Sequence, residues 1–358
     1  MKILVIANMF PSKEHPSYGI FVKNHIHILE EATNDIDTIT MRKEIHKGKK
    51  LWSYLLFYWR IFWTLVLKKH DLVYVHYASH SALPILCAMS LKRSINLTVN
   101  LHGSDVFPEN EFQERLQKWV AKLLKQANHV VVPSDYFKQV VVQRYQLFSG
   151  NILISPSGGV NRSLFAPREE ERNKSIFQIG YVGRIDVDKG WDDAIRGFFE
   201  FQKQSHQSVK LIMVGNGKEN QQKEALIREL GIENNVQCYD LLPQEELVSL
   251  YNEMDVFLFP SRRKGESLGL VGIEAMACGV PVIGSQIAGI QGYLVEGKNG
   301  YFAEVGNPYS IAEKLFQFHA SSEDEKKVLR SNAIDSTTPY DQLNVKKNMI
   351  DMLALFVK

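Results

Sequence analysis

The sequence predicts an α/β protein made of two doubly wound domains. Three observations lead there. Short apolar runs of four to seven residues alternate with longer helix-like segments, the rhythm of parallel strands joined by crossover helices. The rhythm occurs twice along the chain. At 358 residues the chain is also too long for one typical core and suits two domains of roughly 150 to 200 residues. Ligands of such sheets bind beyond the carboxyl ends of the strands, so the residues that follow each run are the candidates for function.

In the first half the runs are Ile3–Ala7, Leu72–His76, Ile95–Leu101, Val130–Pro133 and Ile152–Ser155. The opening run, Met1 to Ala7, lacks the length and cleavage site of a signal peptide and reads as a buried first strand. One segment breaks the pattern. Leu51 to Leu67 contains Trp52, Trp59 and Trp63 with Tyr54, Phe57, Tyr58 and Phe62, and lysines flank it on both sides over 47–69. Aromatic residues between lysines suit a helix lying in the lipid headgroup zone. A buried crossover helix is the other reading, and one helix can satisfy both with opposite faces. Arg60 in its middle, and the absence anywhere of about 18 uncharged apolar residues, argue against a membrane-spanning helix.

The boundary is expected near 162–175, where Pro167 leads into the charged run 168–174. This gives an N-terminal domain over 1–167 and a second domain that begins at 168. The second set of runs is Phe177–Val182, Leu211–Val214, Val236–Tyr239, Val256–Phe259 and Val280–Ile283. A last helix from about Asp341 to Val357 carries Leu343, Ile350, Leu353 and Leu355 among polar residues.

Composition excludes several classes. Hydrophobic residues make up 45% and charged residues 23%, which is globular rather than disordered. Cys87, Cys238 and Cys278 are odd in number and widely spaced, which argues against a disulfide framework or a zinc site and for a reducing compartment. The net charge of +2 divides into +7 over 1–170 and −5 over 171–358, so the two domains are expected to meet different partners. No RNA-binding or recognition-helix signature accompanies the basic half, and no nucleic acid partner is expected.

The most informative stretch runs from Pro260 to Gly284, PSRRKGESLGLVGIEAMACGVPVIG. A strand is followed by a loop with Gly265, Glu266 and Gly269, then by a short helix ended by Gly279. A helix start after a glycine-bearing turn presents free amides and a positive dipole end, which suits phosphate. The donors here are the amides of Leu268, Gly269, Leu270 and Val271. Glu266 and Glu274 stand eight positions apart, one before the helix and one a turn inside it. At that spacing the two carboxylates are not expected to face each other across a bond as in a glycosidase; the job expected of them is holding hydroxyls, Glu274 those of a ribose and Glu266 those of a transferred sugar.

This string resembles the motif of glycosyltransferase family four, retaining enzymes of the GT-B fold. Other landmarks stand in the family's order over most of the chain. Phe10-Pro11 with Gly19 resembles the glycine loop on the donor side. His102-Gly103-Ser104-Asp105 resembles the histidine motif of the acceptor domain. Val132-Pro133-Ser134 and Pro156-Ser157-Gly158-Gly159-Val160 resemble later loops of that domain. Gly183-Arg184 with Lys189-Gly190 resembles the basic diphosphate loop, and Gly215 lies in a further matching turn. Two positions depart from the pattern: Tyr18 precedes Gly19 where a second glycine is frequent, and Gly292 stands where many members carry glutamate.

The resemblance implies two facing Rossmann-like domains with an interdomain cleft, and a last helix, within about 340–358, that returns to the first domain and leaves 168–339 as the second. It implies a nucleotide-diphosphate sugar as donor, with UDP preferred over GDP, and transfer with retention. It places His102, Glu266, Arg184 and Lys189 at the reaction. Gly19, Gly183, Arg184, Lys189, Gly215, Glu266, Ser267, Leu268, Gly269, Leu270, Val271 and Glu274 would hold the donor, with His102, Asp105 and Ser134 on the acceptor side. Chemically, Arg184, Lys189 and the helix start would neutralise charge on the leaving diphosphate.

No cofactor and no metal are expected. Asp186-Val187-Asp188 and Asp35-Ile36-Asp37 match the Asp-x-Asp pattern only superficially. The acceptor is expected to be a lipid-linked or surface glycan, handled by a cytoplasmic enzyme at the inner face of the membrane. A soluble sugar or glucan synthase, a non-hydrolysing nucleotide-sugar epimerase and a non-catalytic nucleotide-sugar binding protein remain as alternatives.

Overall fold

A computed structural model describes residues 1–15, 18–91, 94–168 and 175–356. The chain divides into two compact units, Met1–Gly158 with Leu343–Lys358, and Gly159–Gln342. The division falls before the Pro167–Arg168 junction read from the charged run. Its cause is local. The Val160 amide donates to the Tyr340 carbonyl, Phe165 is buried in a core of the second unit, and the Arg168 amide donates to Asn252 Oδ1 at 2.6 Å. Residues 169–174 of the charged run lie outside the described residues.

The first unit opens with β1 (Lys2–Phe10), α1 (Ile20–Ala32), β2 (Asp35–Arg42), α2 (Lys47–Leu67), β3 (Leu72–His76) and α3 (Ala78–Leu91). It continues through β4 (Leu97–Asn100), α4 (Glu111–Gln126), β5 (His129–Val132), α5 (Asp135–Tyr145) and β6 (Ile152–Ile154). All its strands are parallel, in the order β2-β1-β3-β4-β5-β6. Buried side chains line both faces of the sheet, as expected of a parallel sheet covered on two sides.

The second unit runs β7 (Phe177–Val182), α6 (Trp191–Gln204), β8 (Val209–Val214), α7 (Asn220–Glu229), β9 (Val236–Tyr239) and α8 (Gln244–Glu253). It closes with β10 (Val256–Phe259), α9 (Leu270–Ala277), β11 (Val282–Ser285), β12 (Gly300–Ala303), α10 (Pro308–Ala320) and α11 (Glu323–Ser336). Its sheet is also parallel, in the order β12-β11-β10-β7-β8-β9. Strand order reverses at β7 and β10, so the open crevice of this sheet lies beyond Val182 and Phe259.

Each unit has one edge strand that the apolar runs did not mark. In β2, Asp35–Arg42, polar and apolar residues alternate, and Ile39 and Met41 are its buried side chains. β12, Gly300–Ala303, begins with glycine and ends with alanine, which leaves only two large apolar residues in a short strand. Edge strands are half-solvated or short, and neither leaves a continuous apolar signature.

The last helix, α12 (Gln342–Phe356), packs on the first unit's sheet. Its buried stripe is Val345, Met349, Leu353 and Phe356, spaced four, four and three residues apart as one helical face requires. Of the apolar residues singled out from the sequence only Leu353 is in that stripe. Leu343 and Leu355 are exposed and Ile350 is half-buried. The Asn96 side-chain amide also donates to the Phe356 carbonyl, fastening the helix end beside β4.

Candidate functional site

In the second unit, the loops after β7 and β10 meet at the point of strand reversal. The β7 loop makes a short turn, Val187–Lys189, and enters α6 through Gly190. Gly190 has φ 67°, and a Cβ there would stand 1.9 Å from the Pro260 carbonyl oxygen. Only glycine lets the two loops approach this closely. The approach brings Lys189 Nζ to 2.6 Å from Glu266 Oε2, with both side chains largely buried. The buried Ser261 hydroxyl donates to the same carboxylate oxygen at 3.1 Å.

After Glu266 the chain turns through Ser267 and the buried Leu268 into α9. Gly269 is the N-cap, at φ 79°, and no side chain caps the helix. The Leu270 and Val271 amides therefore open α9 without an intrahelical acceptor, while the Gly272 amide bonds the Gly269 carbonyl, and the helix begins four residues after Lys189's partner. Leu270 and Val271 are half-buried at this start. Further along, Glu274 accepts a hydrogen bond from the Tyr251 hydroxyl at 3.2 Å. Burial pushes its carboxyl up from 4.5 to about 7.

Gly183 donates its amide to the Val214 carbonyl, and Gly215 packs so closely that a Cβ would stand 1.9 Å from the Gly183 oxygen. These two glycines join the β7 and β8 loops. Arg184 is more exposed than Lys189 and pairs with Asp186 at 2.8 Å. Asp188 faces Arg263 at 3.8 Å. In the first unit Asp37 faces Lys2, Lys68 and His70, and Asp35 faces Lys2. Both Asp-x-Asp pairs thus engage basic side chains.

Arg262 was not singled out from the sequence. Its Nε and Nη2 reach Asp193 and Asp192 at 2.8 Å each, clamping the β10 loop to the first turn of α6. Only its place in the Pro260–Gly284 string hinted at it. Two acidic residues at a helix start, Asp192 and Asp193, were the further available signal.

In the first unit, His102 follows β4. Its backbone amide and that of Gly103 donate to the Asp105 carboxylate at 3.0 and 2.9 Å. Asp105 is fully buried, and burial pushes its carboxyl up against the lowering effect of those amides. Expected on the acceptor side, it instead uses its carboxylate to shape the His102 turn. Ser134 is buried and caps α5, its hydroxyl accepting from the Phe137 amide at 3.4 Å. Gly19 is the left-handed N-cap of α1, tight against the Met9–Phe10 backbone. It was expected among the donor-binding residues and lies in the first unit.

The His102 ring stacks on Tyr77 and meets Phe21 at a tilt, each with centroids 4.7 Å away. Tyr77 has φ 60°, a strained conformation for a bulky residue, directly after β3. Behind His102 lie two further histidines that sequence reading missed. His76 Nδ1 is 2.9 Å from His102 Nε2, and His76 Nε2 is 2.9 Å from His25 Nδ1. Burial pushes His102 and His25 down to about 3 and His76 well below the usual histidine value, so all three are neutral at ordinary pH.

Comparisons with known proteins agree with this architecture. The model for glycosyl transferases group 1 matches residues 165–335, and that for glycosyltransferase family 4 matches residues 20–158. The chain belongs to the family-four glycosyltransferases. A D-inositol 3-phosphate glycosyltransferase of Corynebacterium urealyticum is 31% identical over 248 residues, covering 64% of this chain and 57% of that protein. A capsular polysaccharide biosynthesis glycosyltransferase of Staphylococcus aureus, CapM, is 30% identical over 200 residues, covering 53% of this chain and 51% of that protein. The matches thus span about half the length of these relatives. Among solved structures, Anabaena HepE in complex with UDP-glucose superposes with a TM-score of 0.76 at 17% identity, covering 99% of this chain and 100% of that one. At that identity the likeness shows the fold, GT-B.

Proposed function

We propose that the chain transfers a sugar from a nucleoside diphosphate donor, UDP ahead of GDP, onto a glycan or lipid-linked acceptor with retention at the anomeric carbon. The observation that carries this reading is the junction of the β7 and β10 loops, where a buried lysine–glutamate pair stands beside the uncapped start of α9. Breaking the sugar–diphosphate bond leaves an electron pair on the diphosphate oxygen and positive charge at the anomeric carbon. Lys189 has three N–H donors, so it can keep Glu266 and still donate to a phosphate oxygen. The α9 amides add preorganised dipoles, each such donor being worth roughly 3 kcal/mol in the transition state. Glu266 and Glu274 then serve the sugar and ribose hydroxyls. The acceptor oxygen attacks the face that the diphosphate leaves, and the acceptor proton passes to the leaving diphosphate. The UDP-glucose complex of the Anabaena structure and the polysaccharide assignment of the staphylococcal relative support the donor and acceptor classes.

A thermal-shift screen of UDP, GDP and their sugars tests the reading, because a ligand stabilises by RT ln(1 + [L]/Kd). One donor should raise the melting temperature, and Lys189→Ala should remove the rise. A nucleotide shift unchanged by that substitution would refute the assignment.

The proposal extends to the acceptor's surroundings. Helix α2 buries Phe57, Ile61 and Leu65 in the first unit's core, so the crossover-helix reading holds for that face. The other face exposes Trp52, Leu55, Leu56, Trp59 and Trp63, again at helical spacing. Lys49, Lys50, Lys68 and Lys69 flank it, all exposed. Among the described residues no helix is long and apolar enough to cross a membrane. We take this face as a peripheral contact with an anionic bilayer, each nearby lysine adding about 1 kcal/mol. The free cysteines suit the cytoplasmic side. The protein should sediment with phosphatidylglycerol vesicles, and Trp59→Ser with Trp63→Ser should leave it in the supernatant. Equal sedimentation of both proteins would overturn the contact.

A further inference from the structure

The three-histidine chain of the first unit carries an inference about how His102 works. It rests on the transferase reading for its importance, though not for its geometry. His25 comes from α1, His76 ends β3 and His102 follows β4. Parallel register pairs His76 with Asn100, which sets His102 beside it. The rings connect in one line, His25 Nδ1 to His76 Nε2 and His76 Nδ1 to His102 Nε2, both at 2.9 Å. His25 and His76 are buried, and the line ends at His25 Nε2, a buried atom with no hydrogen-bond partner among the described residues. A small cavity of about 30 Å³ adjoins the rings, lined in part by Phe21, Ile28, Val345 and Met349.

A neutral imidazole has one N–H and one lone pair. Two directions therefore satisfy both bonds. With the protons on Nε2, His102 donates to His76 and His76 to His25, and the chain ends on a buried His25 N–H without an acceptor. With the protons on Nδ1, His25 donates to His76 and His76 to His102, and the chain ends on an unused lone pair. An orphaned buried N–H is the rarer and costlier of the two ends. Any mixed arrangement sets two hydrogens or two lone pairs against each other.

We propose that His25 and His76 are positioning residues that hold His102 as its Nδ1–H tautomer, so that it meets the reacting groups as a hydrogen-bond donor and not as a base. Its Nε2 lone pair is occupied by His76, and the Nδ1 it has left carries the proton. A donor at this point suits a sugar hydroxyl or the leaving oxygen. It cannot take the acceptor's proton, which agrees with transfer of that proton to the diphosphate. Tyr77 stacks on the ring and Phe21 packs against it at a tilt.

Long-range proton–nitrogen NMR of the ¹⁵N-histidine-labelled chain reads the tautomers without requiring turnover. All three rings should show a protonated Nδ1 and an unprotonated Nε2. A proton on Nε2 of His102 or His25 overturns the proposal while leaving the transferase reading intact. Conversely, failure to transfer from any nucleotide sugar would sink the transferase reading and leave the tautomers as found.

Two substitutions then separate positioning from folding. His76→Asn keeps a donor near the Nδ1 position and should retain kcat within a few-fold. His76→Leu removes it, frees His102 to exchange tautomers, and should lower kcat on the order of a hundredfold with donor KM little changed. Equal kcat in the two variants would contradict the role. Circular dichroism establishes that both variants are folded, and the tautomer spectrum of the unmodified chain decides the proposal if either is not.

Discussion

Replacing Glu274 by glutamine should make the second unit more stable as the pH rises. In the folded chain burial lifts this carboxyl from 4.5 to about 7, while Tyr251 holds its Oε2. Between those values the unfolded chain has released the proton and the folded chain has kept it. Folded-state stability therefore falls as pH rises from 4.5 through 7, by about 1.4 kcal/mol per unit, and levels off above. The shift corresponds to a penalty of about 3 kcal/mol at pH 8. Glutamine is nearly isosteric, still accepts from the Tyr251 hydroxyl and cannot ionise, so it escapes the penalty. Any fixed packing cost appears equally at every pH and cancels when the variant is compared with the parent across pH. Thermal unfolding from pH 4.5 to 8.5 should show the variant gaining on the parent, by roughly 6 to 12 °C for a unit of this size. A melting difference that is flat with pH would refute the desolvation argument. The same variant should bind UDP more weakly, because the group that burdens the fold is the one assigned to the ribose.

Other expected outcomes follow from the same geometry. Gly190→Ala forces a Cβ into the Pro260 carbonyl at 1.9 Å and should cost several times what Gly297→Ala costs, where φ is similarly positive, at 69°, but the space is open and the penalty about 1 kcal/mol; equal losses on chemical denaturation would contradict the close approach. Arg262→Met leaves the buried Asp193 without its partner and should destabilise by roughly 3 kcal/mol, whereas Arg184→Met removes a pair whose guanidinium is exposed and should cost under about 1 kcal/mol. Urea unfolding of the two variants reads the contrast, and similar midpoints would overturn it. His25 and His102 have folded values near 3, below the ordinary 6.5, so they favour the fold above pH 6.5 and lose that contribution as pH falls toward 3. His25→Phe, which cannot charge, should flatten this acid loss by up to about 1.4 kcal/mol per pH unit, measured as the midpoint of acid unfolding; an unchanged acid midpoint would contradict the burial of a neutral imidazole.

Much of this architecture is legible in the sequence because the strands that build it are buried on both faces. Val256–Phe259 and Leu72–His76 read as strands from their apolar runs alone, and both hold in the structure. The Pro260–Gly284 string likewise showed its helix start, since Gly269 and Gly279 punctuate it locally. Features that depend on register were invisible. Lys189 and Glu266 are 77 residues apart, and only the strand order β10-β7 brings them together. His25 and His76 are 51 apart and meet through the packing of α1 against the sheet. Each alone looked like an ordinary histidine in an apolar stretch. Asp105 was visible as a polar residue near a strand end, but its burial against two amides depends on a turn that no spacing rule announces. The buried face of α12 was not legible for a related reason. Its sequence offers two apolar stripes, and the sheet beneath selects the one containing Val345 and Met349.

A crystal structure of the chain with UDP tests the account most directly. The diphosphate should lie within hydrogen-bond reach of Lys189 Nζ and of the amides that open α9, with the ribose hydroxyls on Glu274. A nucleotide seated anywhere else, with the Lys189–Glu266 pair and the start of α9 untouched, would contradict it.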